Sequence, residues 1–513
     1  MTCVEISARD EQATIRLAEL VALKLAPGDC VLLSGDLGAG KTTFARALIR
    51  ARLDDPAAEI PSPTFALRQD YDAPRATIRH VDLYRVGDLS ELHELGLDEG
   101  MADAITIVEW PERADAAAWS ASTLRVALTA GETADARSVT LTGIGRIAAD
   151  VPRLAELWSF LAAAPEWHAH RVAFLQGDAS SRSYARLVGT PADAILMDSP
   201  SRPDGPVLRS GKSYSQIAHL AETVHAFVAV DTALRAAGIA APALHHVDLD
   251  RGFILMEDLG RSTFGMDLTA GTQQEPMWRT AVDVLVALRT RLPRTRSLPV
   301  PADGVHHLAR FDRAALEIEI GLLLDWFWPA ATGAPAAPAL IESFSAVWSP
   351  LLDTLLALPE GWFLRDYHSP NLIWRPDRQG LDRVGVIDFQ DALAEHWAFD
   401  LVSLLQDARV DVPEAMETAL KAHYVAAIRQ HDAGFDETGF EIAYAVFGAQ
   451  RATRLIGLFV RLARRDGKRG YLAHLPRAWR HLERNLRHPA LAGLESWMAA
   501  NFPQEIRGIP PNA

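Results

Sequence analysis

At 513 residues the chain is too long for one hydrophobic core, and at roughly 150 residues per domain it predicts about three compact units. Hydrophobic residues at 49% and charged residues at 23% exclude disordered, collagen-like and low-complexity classes, while 51 basic against 66 acidic residues, a net charge of −15, disfavours binding nucleic acid through a broad basic surface. Cys3 and Cys30 are too few for a disulfide framework, MTCVEISARDEQ is acidic where a signal peptide starts basic, and no apolar run approaches the roughly 18 to 20 residues of a membrane span, so a cytoplasmic protein without membrane association is expected.

In chain order, TIRLAELVALKLA reads as a helix that stops at the turn Pro27-Gly28-Asp29, and CVLLSG follows as a buried strand. Strand patterns recur at ATIRHVDLY, AITIVEW and STLRVALTA with helical or loop patterns between them, so residues 1–150 are expected to form an α/β domain. Residues 151–167, in the Ala-rich stretch GIGRIAADVPRLAELWSFLAAAPEW, are expected to be a helical linker. Residues 168–264 read as a small mixed lobe: strands and turns in RVAFLQGDASSRSYARLVG and DAILMDSP, a helix SQIAHLAETVHAFVAVDTALRAAG ending at Gly238, and a strand GFILMEDLG. Over residues 265–513 long amphipathic helical patterns dominate, broken by the loop ATGAPAAPAL and by WFLRDYHSPNLIW and RVGVIDFQDA, a loop flanked by strand-like runs. There is no internal repeat.

The segment Gly35-Asp36-Leu37-Gly38-Ala39-Gly40-Lys41-Thr42 fits the P-loop pattern G-x-x-x-x-G-K-[ST] between a strand and the helical run TFARALIRARL. Gly35, Gly38 and Gly40 let the backbone aim N–H groups at a β-phosphate, Lys41 reaches the β- and γ-phosphates, the Thr42 hydroxyl ligates Mg²⁺, and Thr43 completes the nucleotide-binding set. Asp82 and Glu109 each end a strand, where a carboxylate holds Mg²⁺, orients an attacking water or merely caps a loop. PSPTFAL, with prolines around Ser62 and Thr64, is either a stiffened loop that senses the γ-phosphate or an ordinary turn.

Taken together, GDLGAGKTTF, SPTF, HVDLYR, LGLDE and IVEWPER resemble, over about residues 5–145, the bacterial TsaE family, ATPases of threonylcarbamoyladenosine modification of tRNA. The resemblance implies an ATP- and Mg²⁺-dependent subunit that binds the partners carrying the transferase chemistry, TsaD and TsaB. It also implies Asp82 and Glu109 near Mg²⁺ and the γ-phosphate, Thr64 in a switch-like loop and Trp110 beside the nucleotide. Residues 1–150 carry 15 basic and 24 acidic residues, compatible with tRNA being reached only through partners.

A second phosphate site lies in Asp366-Tyr367-His368-Ser369-Pro370-Asn371 followed by Val386-Ile387-Asp388-Phe389-Gln390, the kinase-like spacing D-x-x-x-x-N then D-F. An acceptor hydroxyl needs a carboxylate within hydrogen-bond reach, here Asp366, and a transferring phosphate needs Mg²⁺ held by an amide oxygen and a second carboxylate, here Asn371 and Asp388. From about residue 168 to 495, FLQGDASSRSYARL, ILMDSP, FILMEDLG, LRDYHSPNLIW, VGVIDFQDA and FDLVSLLQDAR resemble the aminoglycoside phosphotransferase class of kinase-like folds, and within it the anomeric sugar kinases (AmgK) that phosphorylate N-acetylmuramate and N-acetylglucosamine in cell-wall recycling. The fold implied for the whole chain is an α/β P-loop NTPase domain followed by a bilobal protein-kinase-like α+β domain, with one ATP site in each. By this resemblance Asp178 to Arg186, including Arg182, form a hairpin over the phosphates, and Met256, Glu257 and Asp258 form the adenine-contacting hinge. Asp400 supports the catalytic loop or is only an N-cap.

The usual strand lysine is absent, because Lys212 is the only lysine between residues 42 and 420, so Lys212, Arg182 or Arg186 supplies that charge or the site leans more on Mg²⁺. Leu364 stands where such proteins commonly have histidine. Rival readings are an aminoglycoside, a choline-like alcohol or another small hydroxyl metabolite as acceptor, or a regulatory protein with one active site. His245-His246 lacks partners at zinc-ligand spacing, the aromatics of LLLDWFWPA and ESFSAVW fit a helical core, and the basic run VRLARRDGKRGY is a solvated helix end or attracts an anionic sugar.

Overall fold

The computed structural model describes the chain except residues 75, 87–100, 115–118, 176–181, 202–204, 206, 210 and 302–303. The LGLDE stretch and residues 178–181 of the expected phosphate hairpin lie outside the described residues. The front strands are β1 (Thr2–Ala8), β2 (Asp29–Ser34), β3 (Arg68–Ala73), β4 (Ala76–Asp82), β5 (Ala104–Glu109), β6 (Ser122–Ala130) and β7 (Arg137–Ile144), in the spatial order β1-β7-β6-β2-β5-β4-β3. β2 lies parallel to β5 and β6, and β4 parallel to β5; the remaining pairs are antiparallel. Parallel strands are buried on both faces, which is why β2 shows no polar alternation. Its Val31 and Leu33 enter one core, and Cys30 and Leu32 the other. Helix α1 (Glu11–Lys24) begins where Asp10 accepts the Ala13 N–H at 2.7 Å, and α2 (Lys41–Leu53) begins directly after Gly40.

The segment 151–167 is helical, comprising α3 (Asp150–Ala162) and the turn Pro165–Trp167, but it is no free tether: Val151, Leu154, Leu157, Phe160 and Leu161 are buried. Beyond it come β8 (Arg171–Leu175), β9 (Ser183–Val188), β10 (Ala194–Asp198), a small hairpin of β11 (Val207–Arg209) and β12 (Lys212–Ser213), then β13 (Leu244–Asp248) and β14 (Phe253–Glu257). Five of these make an antiparallel sheet in the order β13-β14-β10-β9-β8. One hydrophobic core runs through both sheets, joining Ile6, Leu17, Leu154 and Phe160 to Val172, Leu187, Leu196 and Phe253. Polar ties reinforce it. Glu19 of α1 accepts the Val172 N–H at 2.7 Å, and Asp198 takes Lys24 Nζ at 2.5 Å and Arg153 Nη2 at 2.6 Å. His246 stacks on Phe160, and His245 packs tilted against Trp167.

Two compact units result, Met1–Pro200 with Ala243–Asp258, and Ser201–Pro242 with Leu259–Ala513. The second is mainly helical and centred on Glu437–Asp466, which Asp436 caps by accepting the Gly439 N–H at 2.9 Å and Gly467 ends at φ 70°. Helices Arg313–Leu322, Ala398–Leu405 and Leu475–Leu486 pack around it. A Cβ at Gly457 would sit 2.2 Å from the Leu322 carbonyl oxygen, so glycine is what lets two helices meet here. The single helix expected over SQIAHLAETVHAFVAVDTALRAAG is instead two, Tyr214–Ile217 and Val224–Ala236. Ser213 and Gln216 form a capping box on the first, and His219 at φ 53° cannot continue a right-handed helix. Hairpin β15 (Ser297–Pro299) and β16 (Val305–His307) precedes two short antiparallel pairs, β17 (Gly361–Phe363) with β20 (Leu393–Glu395) and β18 (Leu372–Trp374) with β19 (Val384–Val386). Phe327, Phe344 and Trp348 are core residues. Among the described residues, no helix is long and apolar enough to cross a membrane.

Candidate functional site

The glycine-rich turn joins β2 to α2, with φ of 140°, 79° and 103° at Gly35, Gly38 and Gly40. A Cβ at Gly35 would lie 2.3 Å from the Leu128 carbonyl oxygen, so only glycine fits there. Lys41 is 5% exposed, donates from Nζ to the Gly35 and Asp36 carbonyls at 2.6 and 2.9 Å, and lies 3.5 Å from the Trp110 ring centroid. Burial lowers its pKa, and the charges of Glu109, Glu112, Asp82 and Asp36 work in the other direction.

The parallel register of β4 and β5 sets Asp82 opposite Glu109 at their C-terminal ends. Thr42 Oγ1 donates to Glu109 Oε2 at 2.7 Å, and buried His80 Nε2 stands 3.0 Å from Glu109 Oε1. Asp82 Oδ2 accepts the Ser62 and Thr64 hydroxyls at 2.9 and 2.8 Å, and its Oδ1 takes the Tyr84 N–H at 3.0 Å. The Thr42 hydroxyl and the two carboxylates are the hard oxygen donors that Mg²⁺ prefers. Thr43 is half-buried in the first turn of α2. Sequence reading gave no role to His80 or to Arg137, whose Nε donates to the Ala39 carbonyl at 2.9 Å and so braces the P-loop from β7. The first is visible only through strand register, and the second sits on a strand that the pattern did not reveal.

The second site is assembled by β18 and β19, whose pairing sets Leu372 opposite Val386. Asn371 Nδ2 donates to the Asp366 carbonyl at 3.0 Å and stands 3.4 Å from Asp388 Oδ2, while Gln390 Nε2 donates to Asp388 Oδ1 at 2.9 Å. The Asn371 amide oxygen and the Asp388 carboxylate again suit Mg²⁺. Arg365 and Asp388 take φ of 71° and 59°, strained values that the surrounding bonds must hold. Asp400 supplies part of that hold by accepting the Leu364 and Arg365 N–H groups at 2.6 and 3.0 Å, so it fastens the loop and is not the cap of its own helix, whose N-cap is Trp397. Burial pushes Asp400 up to about 7 despite those two donors.

Asp366 itself is 29% exposed among buried neighbours. Burial acts to raise its carboxyl, but His368, Arg454, Arg365 and Arg451 outweigh that and hold it below the usual range. Burial and Arg409 drive His368 down to about 4, leaving its ring neutral at pH 7, so the arginines are what sustain the Asp366 carboxylate.

In the first unit, Arg186 of β9 donates from Nε to Asp258 Oδ2 at 2.5 Å, which ties that arginine to the end of β14. Met256 is buried and paired with Ile195 and Leu244, and Glu257 accepts the Ala243 N–H at 3.1 Å. Arg182 lies just before β9; Lys212, on β12 of the second unit, is exposed.

Residues 8–139 match the family model of the threonylcarbamoyl adenosine biosynthesis protein TsaE, and residues 171–437 match that of the phosphotransferase enzyme family. An N-acetylmuramate/N-acetylglucosamine kinase of Caulobacter vibrioides is 36% identical over 343 residues, covering 65% of this chain and 92% of that relative. The tRNA threonylcarbamoyladenosine biosynthesis protein TsaE of Rickettsia bellii is 44% identical over 102 residues, 20% of this chain and 70% of that relative. The Rickettsia conorii TsaE is 46% identical over 102 residues, and the chain spans 58% of its length.

Proposed function

The chain belongs to the phosphotransferase enzyme family and carries a TsaE domain at its front, and we propose that it joins an ATPase of tRNA threonylcarbamoyladenosine biosynthesis to a kinase that phosphorylates the anomeric hydroxyl of N-acetylmuramate and N-acetylglucosamine. The observation that most favours the kinase reading is the grouping of Asn371 and Asp388, beside the paired strands β18 and β19, with Asp366 of the loop leading into β18. Asp366 takes the proton of the acceptor hydroxyl as that oxygen bonds to the γ-phosphorus; the bond from the γ-phosphorus to the bridging oxygen breaks and ADP leaves. Asn371 and Asp388 in this site, and Thr42 with Asp82 and Glu109 in the front one, would hold Mg²⁺, which when bound offsets the charge of the β- and γ-phosphates.

In the front domain the P-loop N–H groups and Lys41 grip the phosphates, Glu109 is oriented by His80, and Ser62 and Thr64 tie the switch-like loop to Asp82. TsaD and TsaB are its partners in this reading, and tRNA is reached through them. A panel of N-acetylmuramate, N-acetylglucosamine and kanamycin as phosphate acceptors tests the kinase half. Turnover of both sugars is expected; turnover of kanamycin alone would overturn the acceptor.

A further inference from the structure

The turn that follows Asp388 carries a polar side chain that the transfer chemistry does not use. Gln390 is 4% exposed, and its Nε2 donates to Asp388 Oδ1 at 2.9 Å and to Asp391 Oδ2 at 3.3 Å. Asp391 is held in turn, because its Oδ1 accepts the Ala221 N–H at 2.6 Å. The break at His219 leaves Ala221 between the helices Tyr214–Ile217 and Val224–Ala236, so its N–H takes part in neither and needs a partner elsewhere. Ala221, Asp391, Gln390 and Asp388 therefore form one hydrogen-bonded series that starts on the backbone and ends on a carboxylate suited to Mg²⁺. Phe389 fixes the turn between them: it is 1% exposed, its ring stacks on Phe227 at 4.7 Å, and its carbonyl accepts the Ala392 N–H at 3.1 Å.

The neighbours dictate the direction of the Gln390 amide. Turned over, it would set Oε1 against two carboxylates, oxygen facing oxygen with no proton between them. A glutamine amine can bridge two acidic side chains where a hydrocarbon or a carboxylate of the same length cannot. Asp388 is where such a bridge matters, since its backbone sits at a costly φ of 59° and its carboxylate must be held still to share a cation with the Asn371 amide oxygen. Asn371 is placed by its own bond to the Asp366 carbonyl, and the Ile387 N–H joins the two ligand segments by donating to the Asn371 carbonyl at 3.1 Å.

We infer that Gln390 is a positioning residue for the divalent cation of the kinase site, holding the Asp388 carboxylate without touching the metal, with Asp391 as its anchor; this rests on the kinase function proposed above. In the full-length protein, Gln390→Leu removes both bonds at similar side-chain size. The Mg²⁺ concentration for half-maximal sugar phosphorylation is expected to rise by about 10-fold or more, the usual worth of a partner that orients a metal ligand, while kcat at saturating Mg²⁺ stays within about twofold. Mn²⁺ binding, followed by electron paramagnetic resonance with a non-hydrolysable ATP analogue, is expected to weaken by the same factor at one site, the front site being common to both chains. Asp391→Asn keeps an oxygen for the Ala221 N–H but sets an amide against the Gln390 amine. It is expected to shift the Mg²⁺ requirement in the same direction by a smaller factor, and it is read by the same criterion should Gln390→Leu fail to fold. A fall in kcat that saturating Mg²⁺ does not restore, or Mn²⁺ affinity equal to that of the native chain, overturns the positioning role. A native chain that phosphorylates neither sugar overturns the acceptor reading instead, and the Mn²⁺ titration then decides the role of Gln390 by itself.

Discussion

Glu109 is held from both sides, by Thr42 on one oxygen and His80 on the other, while Asp366 keeps one partly open face among arginines. These arrangements separate the two chemistries: the first carboxylate is fixed next to the P-loop, and the second stays ionised and accessible to a hydroxyl. Replacing Asp366 by Asn is expected to lower kcat for sugar phosphorylation by on the order of 10²- to 10⁴-fold, the usual worth of a general base, with ATP affinity measured by calorimetry intact. Unchanged turnover would remove Asp366 as the base. Lys41→Ala is expected to abolish partner-stimulated ATP hydrolysis while sugar phosphorylation continues; loss of both rates would mean that the sites are coupled. The motif residues were legible because phosphate chemistry demands particular side chains at fixed spacing. His80 and Arg137 obey no spacing rule, since each reaches its partner across strands or loops.

Elements were legible in proportion to how completely they are buried. β2, β4, β5 and β6 carry the apolar runs that sequence reading picked out, whereas β1 and β3 are edge strands and β7 alternates Ser and Thr with Val139 and Leu141, so none of the three reads as an apolar run. The helix expected over Ser215–Gly238 broke where backbone conformation at His219 overrode helical periodicity. Helix α1 carries an unusual residue for its surroundings, Glu19, 4% exposed and pushed up to about 7 by burial in spite of its bond from Val172. Between its ordinary value of 4.5 and about 7 the folded chain holds a proton that the unfolded chain has released, so stability falls as pH rises through that window. Glu19→Gln keeps an oxygen for the Val172 N–H and carries no charge. Thermal unfolding should therefore find the variant more stable than the parent above pH 7, by on the order of 3 kcal/mol, with the two converging near pH 5. A constant difference across this range would show that Glu19 does not titrate in the window.

At the scale of the molecule, the front sheet and the strands β8, β9, β10, β13 and β14 share one core, so residues 151–167 act as a packed layer and not as a spacer. Cutting a cavity in that core should therefore be felt in both sheets. Leu124→Ala, at a fully buried site on β6, is expected to cost about 3 kcal/mol and to speed amide exchange in β10 and β14 by the same factor as in β5, on the order of 100-fold. Exchange that accelerates in β5 and is unchanged in β10 would show two independently folding bodies. The sequence by itself determined that the chain holds a P-loop followed by a kinase-like catalytic loop, because both are local: each needs a few residue types at set intervals on a strand-to-helix or strand-to-strand turn. Only the tertiary structure decided that Asp198 binds Lys24 and Arg153, that Glu19 caps the start of β8, and that Asp400 fastens the Leu364–Arg365 turn. Those facts depend on contacts between segments far apart in the chain, and the energy of burying or pairing a charge belongs to the folded surroundings rather than to any stretch of sequence.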